Sequence, residues 1–164
     1  MSALAVLWFF LIFVLIAGYF VLDGFDLGVG VLYRALAKDE RERALVRRSI
    51  GPVWDGNEVW LLTAGGALFA AFPAAYATTF PGFYQAVMLV LFGLIVRAVS
   101  LEFRAHDPQW ARAWDVCFTV GSFLPALLLG GVIGLAAPKR LSKAPGSAFC
   151  AVLALSLLVC GALL

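Results

Sequence analysis

The sequence predicts an all-α integral membrane protein: four transmembrane helices in an antiparallel bundle, with a candidate fifth apolar helix towards the C-terminal end. Two observations carry that reading. Of the 164 residues, 63% are hydrophobic and 13% charged, more apolar surface than a water-soluble domain of this length can hide. The apolar residues also gather in runs of about 20, the length that crosses a bilayer core. The net charge of +2 is small and no basic stripe runs along the chain, so nucleic acid is not expected as a partner.

The first span is expected at residues 4–33. It lacks a basic leader and a small-residue cleavage site, and so reads as a span and not a removable signal peptide. It is uncharged as far as Leu22, then carries Asp23 and Asp26 among glycines. Its length predicts tilt or an extension beyond the bilayer. Residues 34–49 alternate acids and bases, which suits a short surface helix with intrahelical ion pairs. The second span is expected at 52–72, with Pro52 placed in a first helical turn. Residues 73–81 read as an uncharged turn bounded by prolines. The third span, 82–102, is interrupted late by Arg97, and 103–114 is a second polar loop. The fourth span, 115–137, holds Pro125 as an expected kink. These 137 residues form the bundle, and 138–164 is an apolar tail in which 148–164 is the candidate fifth span.

Orientation follows from the distribution of basic residues. The Arg-rich segment 34–49 and the loop 103–114 are expected at the cytoplasmic face, and the turn 73–81 at the other. Lys139, Arg140 and Lys143 oppose this arrangement. With that topology, Asp23, Asp26, Asp55, Glu58, Arg97 and Glu102 all fall in the cytoplasmic half of the bilayer. Asp23 precedes Arg34 by eleven residues, about 16 Å along a helix. Asp23 and Asp26 are three apart, as are Asp55 and Glu58, so each pair shares a helix face, and Trp54 shares a face with Glu58.

Ionised carboxylates inside a bilayer are costly, and such residues mark sites of function or of a structural network. Four carboxylates near one clear partner, Arg97, cannot all be ionised cheaply in a low dielectric. A wet, acidic cleft open to one side is what proton uptake requires. The alternatives are that Asp55 and Glu58 favour the positive end of a helix, or that Asp23, Asp26 and Arg97 fix helix register. Gly65, Gly66, Ala70 and Ala71 supply small residues for close packing. The tryptophans fall mostly near the expected interfaces, with Trp60 deep enough to line a cavity. Cys117, Cys150 and Cys160 lack metal-binding or redox spacing. The single histidine, His106, lies in a loop, so no haem or metal ligand set is expected in this chain, and no catalysis by the chain alone.

The stretches LDGFDLGVGVLYR at 22–34 and RRSIGPVWDGNEVWLLTAGGALFAAFPAAYA at 47–77 continue as FPGFYQAVMLVLFGLIVRAVSLEFR at 80–104 and WDVCFTVGSFLPALLLGGVIG at 114–134. Together they resemble subunit II of cytochrome bd-type quinol oxidases, including the cyanide-insensitive variants, over residues 8–134. The resemblance implies a subunit of a bacterial inner-membrane complex that oxidises ubiquinol or menaquinol and reduces oxygen to water. It implies that haem b and haem d are ligated by the larger subunit I, and that this chain supports that subunit and contributes to proton and oxygen access. By resemblance Asp23, Asp55 and Arg97 match positions near the proton path, and Trp60 matches one near oxygen access. Asp26, Glu58 and Glu102 are further members of the path or of its scaffold, and Trp54 and Asn57 are motif positions without an assigned role. The family has two homologous four-span halves, of which this chain is expected to hold the first, with no resemblance from Pro138 onward. The rival readings are a small proton-coupled transporter working as a dimer of half-repeats, or a truncated relic without function.

Overall fold

The structure, a computed structural model, describes residues 2–136, and every regular element among them is helical. The tail expected to hold a fifth span lies outside the described residues. Helix α1, Ala3–Leu36, is capped by Ser2, whose hydroxyl accepts the amide of Ala5 at 3.3 Å. It runs 34 residues, about 51 Å, well beyond the ~30 Å of a hydrocarbon core. Its first half presents Leu4, Phe9, Phe10 and Phe13 outward, whereas Tyr19, Asp23, Asp26, Leu27, Val29 and Tyr33 are buried.

The surface helix foreseen from alternating charge is α2, Glu40–Ile50. Its start is set by a capping box: the Asp39 carboxylate accepts the Glu42 amide at 2.7 Å, and the Glu42 carboxylate accepts the Asp39 amide. A turn at 51–53 leads into α3, Trp54–Ala71. Pro52 therefore lies in that turn and not in the first turn of the helix. Residues 73–81, expected as a turn, are instead helix α4, Pro73–Gly82. Pro73 at the first position lacks only an amide that would have no partner there. The Thr78 hydroxyl is satisfied within the helix by the carbonyls of Ala74 and Ala75, and Tyr76 stacks on Phe80 at 4.1 Å. Helix α5 covers Tyr84–His106 and α6 covers Ala111–Ala136. The polar loop expected at 103–114 thus shrinks to 107–110, because the flanking helices extend into it.

Among the described residues, three helices are long and apolar enough to cross a membrane: α1, α5 and the stretch Ala111–Gly131 of α6. Helix α3 does not meet that standard, because Asp55, Asn57 and Glu58 interrupt its first two turns. Helix α1 packs against both α3 and α6, and α6 packs against α5. One apolar cluster joins Leu27, Val90, Leu94 and Ala126, and a second joins Val29, Tyr33, Ile50 and Phe118. The α5–α6 contact depends on glycine. A Cβ on Gly121 would stand 2.8 Å from the Arg97 nitrogen and the Gly93 oxygen, and one on Gly93 would stand 2.7 Å from the Pro125 ring. A Cβ on Gly30 would overlap the Ser122 side chain, which fixes where α1 crosses α6.

Because the atoms facing Gly121 are backbone, they have no rotamer by which to yield. Gly121→Ala is expected to destabilise the protein by about 1–3 kcal/mol. Gly65→Ala, where nothing lies within 4 Å, is expected to be near neutral. Thermal unfolding of the detergent-solubilised variants, followed by circular dichroism, compares the two.

Candidate functional site

Arg97 of α5 is fully buried, and its surroundings are acidic. Its guanidinium donates to both oxygens of Asp23, at 2.9 and 3.3 Å, in a forked pair. Asp26 stands 3.8 Å from the same guanidinium and Glu58 3.4 Å from it. Helices α1, α3 and α5 thus each contribute charge to one point. The three-residue spacing of Asp23 and Asp26 puts both on the inner face of α1. Asn57 of α3 completes the ring by donating its amide to Asp26 at 2.8 Å.

Four buried atoms in this cluster have no hydrogen-bond partner: Tyr19 Oη, Asp26 Oδ1, Glu58 Oε1 and Arg97 Nε. Tyr19 lies one turn before Asp23 on the same face of α1, so its hydroxyl belongs to the cluster. Asp23 and Asp26 have no side-chain exposure, whereas the Glu58 side chain keeps 20%. One guanidinium faces three carboxylates, so full ionisation would leave the cluster negative in a poorly solvated interior. Protons shared among the carboxylates, or charge from outside, must offset the excess.

Two residues expected in this cluster lie elsewhere. Asp55 is exposed and has no ion-pair partner among the described residues. Three residues along a helix turn it about 60° away from Glu58, enough to leave the cluster while Glu58 enters it. Glu102 is also exposed, and its carbonyl oxygen meets the His106 ring at 3.0 Å. Three carboxylates, not four, therefore surround Arg97. Trp60 lies against Gly18, where an added Cβ would stand 2.6 Å from the indole ring. Trp54 is half-buried. Tyr19 and Asn57 are the members whose part the sequence reading did not supply. The heptad-like spacing Tyr19, Asp23, Asp26 was the available signal for the first.

A second network was not foreseen. Asp115 of α6, almost fully buried, accepts from Tyr33 Oη at 2.9 Å, Arg104 Nε at 2.8 Å and Arg43 Nη1 at 2.9 Å. Arg104 also donates to both oxygens of Glu40 at 2.8 Å, and Arg47 donates to Tyr33 Oη. The charges of α2 were expected to pair along that helix. Glu40 does pair with Arg47 of the same helix at 3.4 Å, but Arg43 reaches α6 and Glu40 also reaches α5, because α2 folds back over the helix ends.

Two expected outcomes follow from this geometry. Arg97→Gln strands two buried carboxylates and the half-buried Glu58, and is expected to cost about 3–5 kcal/mol, part of it recovered when Asp23→Asn is added. Chemical unfolding in detergent, read as a double-mutant cycle, measures the recovery. Asp115→Asn is expected to raise amide hydrogen exchange across Glu40–Ile50 more than across the middle of α5.

The sequence model of the family described as cytochrome bd terminal oxidase subunit II matches residues 4–164. The match runs past residue 134, where the motif resemblance was expected to stop. The chain is 47% identical over 135 residues to the cytochrome bd-I ubiquinol oxidase subunit 2 of Escherichia coli, covering 81% of this chain and 36% of that protein. It is 47% identical over 132 residues to the cytochrome bd ubiquinol oxidase subunit 2 of Bacillus subtilis, covering 79% of this chain and 39% of that one. A probable cytochrome oxidase subunit 2 of Haemophilus influenzae is 48% identical over 130 residues, 78% of this chain and 34% of that protein. The chain thus spans little more than a third of the length of these relatives.

Proposed function

The chain belongs to the cytochrome bd terminal oxidase subunit II family, and from that premise we propose that it serves as subunit II of a quinol oxidase in a bacterial inner membrane. In this reading it docks on the larger subunit I, and the complex couples oxidation of ubiquinol or menaquinol to reduction of oxygen to water. The observation that carries the proposal is the buried Arg97, shared by Asp23, Asp26 and Glu58 from two other helices.

Haem b and haem d, held by subunit I, supply the electron and oxygen chemistry. The single histidine, His106, is exposed at the end of α5, not buried as an axial ligand is. Its part is to hold and pass protons. Asp23, fixed by the forked pair, and Asp26, held by Asn57, form the inner station. Glu58, with its partly exposed side chain, is the member that exchanges protons with the outside. Asp55, one turn out on α3, collects them at the rim, and Glu102 contributes to the charge of the same face. Trp60 against Gly18 lines the approach for oxygen, and Trp54 supports the face of α3 that carries Glu58.

Completion of a four-span antiparallel bundle requires α3 to cross as well. Its polar first turns then sit against Arg97 and not against lipid, which is how a helix of this composition is tolerated in a bilayer. The stretches 34–49 and 103–114 face the cytoplasm.

Tagged chain purified from native membranes is expected to bring subunit I with it and to show haem b and haem d bands in a reduced-minus-oxidised spectrum. A colourless eluate without a large partner removes the oxidase role. In the assembled complex, Asp23→Asn and Glu58→Gln are each expected to lower oxygen uptake about tenfold or more with the haem spectrum unchanged. Asp55→Asn is expected to have a smaller effect, because water can replace a group at the rim.

A further inference from the structure

The ionic network around Asp115 divides the charges of α2 and its approach into two sets. The stretch 34–49 carries Arg34, Lys38, Arg41, Arg43, Arg47 and Arg48 against Asp39, Glu40 and Glu42. All three acids are engaged inward or along the backbone. Glu40 pairs with Arg104 and Arg47. Asp39 and Glu42 close the capping box, and the Glu42 carboxylate also accepts the Lys38 amide at 2.7 Å. Arg43 and Arg47 turn towards Asp115 and Tyr33.

Arg34, Lys38, Arg41 and Arg48 remain. All four are exposed, and among the described residues no carboxylate pairs with them. Arg41, Leu45 and Arg48 follow one another at four and three residues, so they form one outer stripe of α2. Leu45 in its middle is 58% exposed, and Leu36 and Val53 at the two ends of the segment are 41% and 44% exposed. The opposite face of α2 is anchored: Ile50 is fully buried, and Val46 packs with it against Tyr33 and Phe118. The helix is therefore held to the bundle by one face and presents cations flanking an apolar residue on its free side. Four cations without a carboxylate partner among the described residues, at and just beyond the end of a membrane-length helix, are the composition that attracts anionic lipid.

We propose that the outer stripe of α2, with Arg34 and Lys38, is a binding site for anionic phospholipid headgroups. Arg41 and Arg48 hold the phosphates, and Leu45 enters the boundary with the acyl chains. The inference requires only that the chain sits in a membrane, and it is independent of the oxidase role.

The test uses the full chain in nanodiscs of phosphatidylcholine alone or mixed with phosphatidylglycerol, with bound lipid counted by native mass spectrometry. The parent chain is expected to retain phosphatidylglycerol in preference to phosphatidylcholine. In R41Q/R48Q that preference is expected to fall by roughly fivefold for each cation removed. Both side chains point outward and bond to nothing within the fold, and circular dichroism checks that the variant is intact. L45Q is expected to weaken retention of both lipids without changing the preference between them. Equal retention of phosphatidylglycerol by parent and R41Q/R48Q overturns the proposal. So does loss of a co-purifying polypeptide from R41Q/R48Q with lipid retention unchanged, which assigns the stripe to an acidic protein surface instead.

Discussion

The fold depends on placing one guanidinium out of reach of water. Arg97 has no exposure, and an unpaired cation at that depth would cost several kcal/mol. The forked pair with Asp23 offsets much of that cost, and in doing so it fixes α5 against α1. Asp26, Glu58 and Asn57 then follow from the same need, since each ties a further polar group of α1 or α3 to a centre already charged. Helix α3 is held besides by Trp60 against Gly18 and Leu61 against the apolar cluster, with Ala64 its one buried residue among those described. The charge that makes the interior costly is also what assembles it.

Close backbone contact makes that arrangement possible. Gly121 lets α6 lie directly on the backbone of Arg97 and Gly93, and Pro125 fills the space above Gly93. Arg97 is thereby excluded from the α6 side and directed towards α1. The Asp115 network performs the corresponding task at the end of the bundle, joining α1, α2, α5 and α6 through one carboxylate. Tyr33 takes part in both kinds of bonding: its hydroxyl donates to Asp115 while its ring meets Phe118 edge-on at 5.1 Å.

Much of this was legible before the structure. Hydrophobic run length located α1, α5 and α6 to within a few residues, and the three-residue spacing of Asp23 and Asp26 correctly put them together with Arg97. Spacing alone could not decide which of Asp55 and Glu58 turns inward, because that depends on the rotation of α3, set by packing against Gly18 and Asp26. Prolines misled in the segment 73–81: Pro73 reads equally as a breaker or as a first helical residue, and alanines after it favour the helix. The Asp115 network was invisible because its partners lie 11 to 82 residues apart. Local charge alternation pointed to pairing within α2, which the fold uses only between Glu40 and Arg47.

The length of α1 has a mechanical consequence. Asp23 and Tyr33 stand on one unbroken helix, about 15 Å apart along its axis, and each is the α1 anchor of a different ionic centre. The helix is therefore a strut between them. Helix α1 has no proline at which to bend between the two centres, so the distance between them is fixed by the helix itself. Rotation of the strut is blocked separately, where Gly30 sits against Ser122. The interior charge and the surface network of the protein are thus tied to one rigid element.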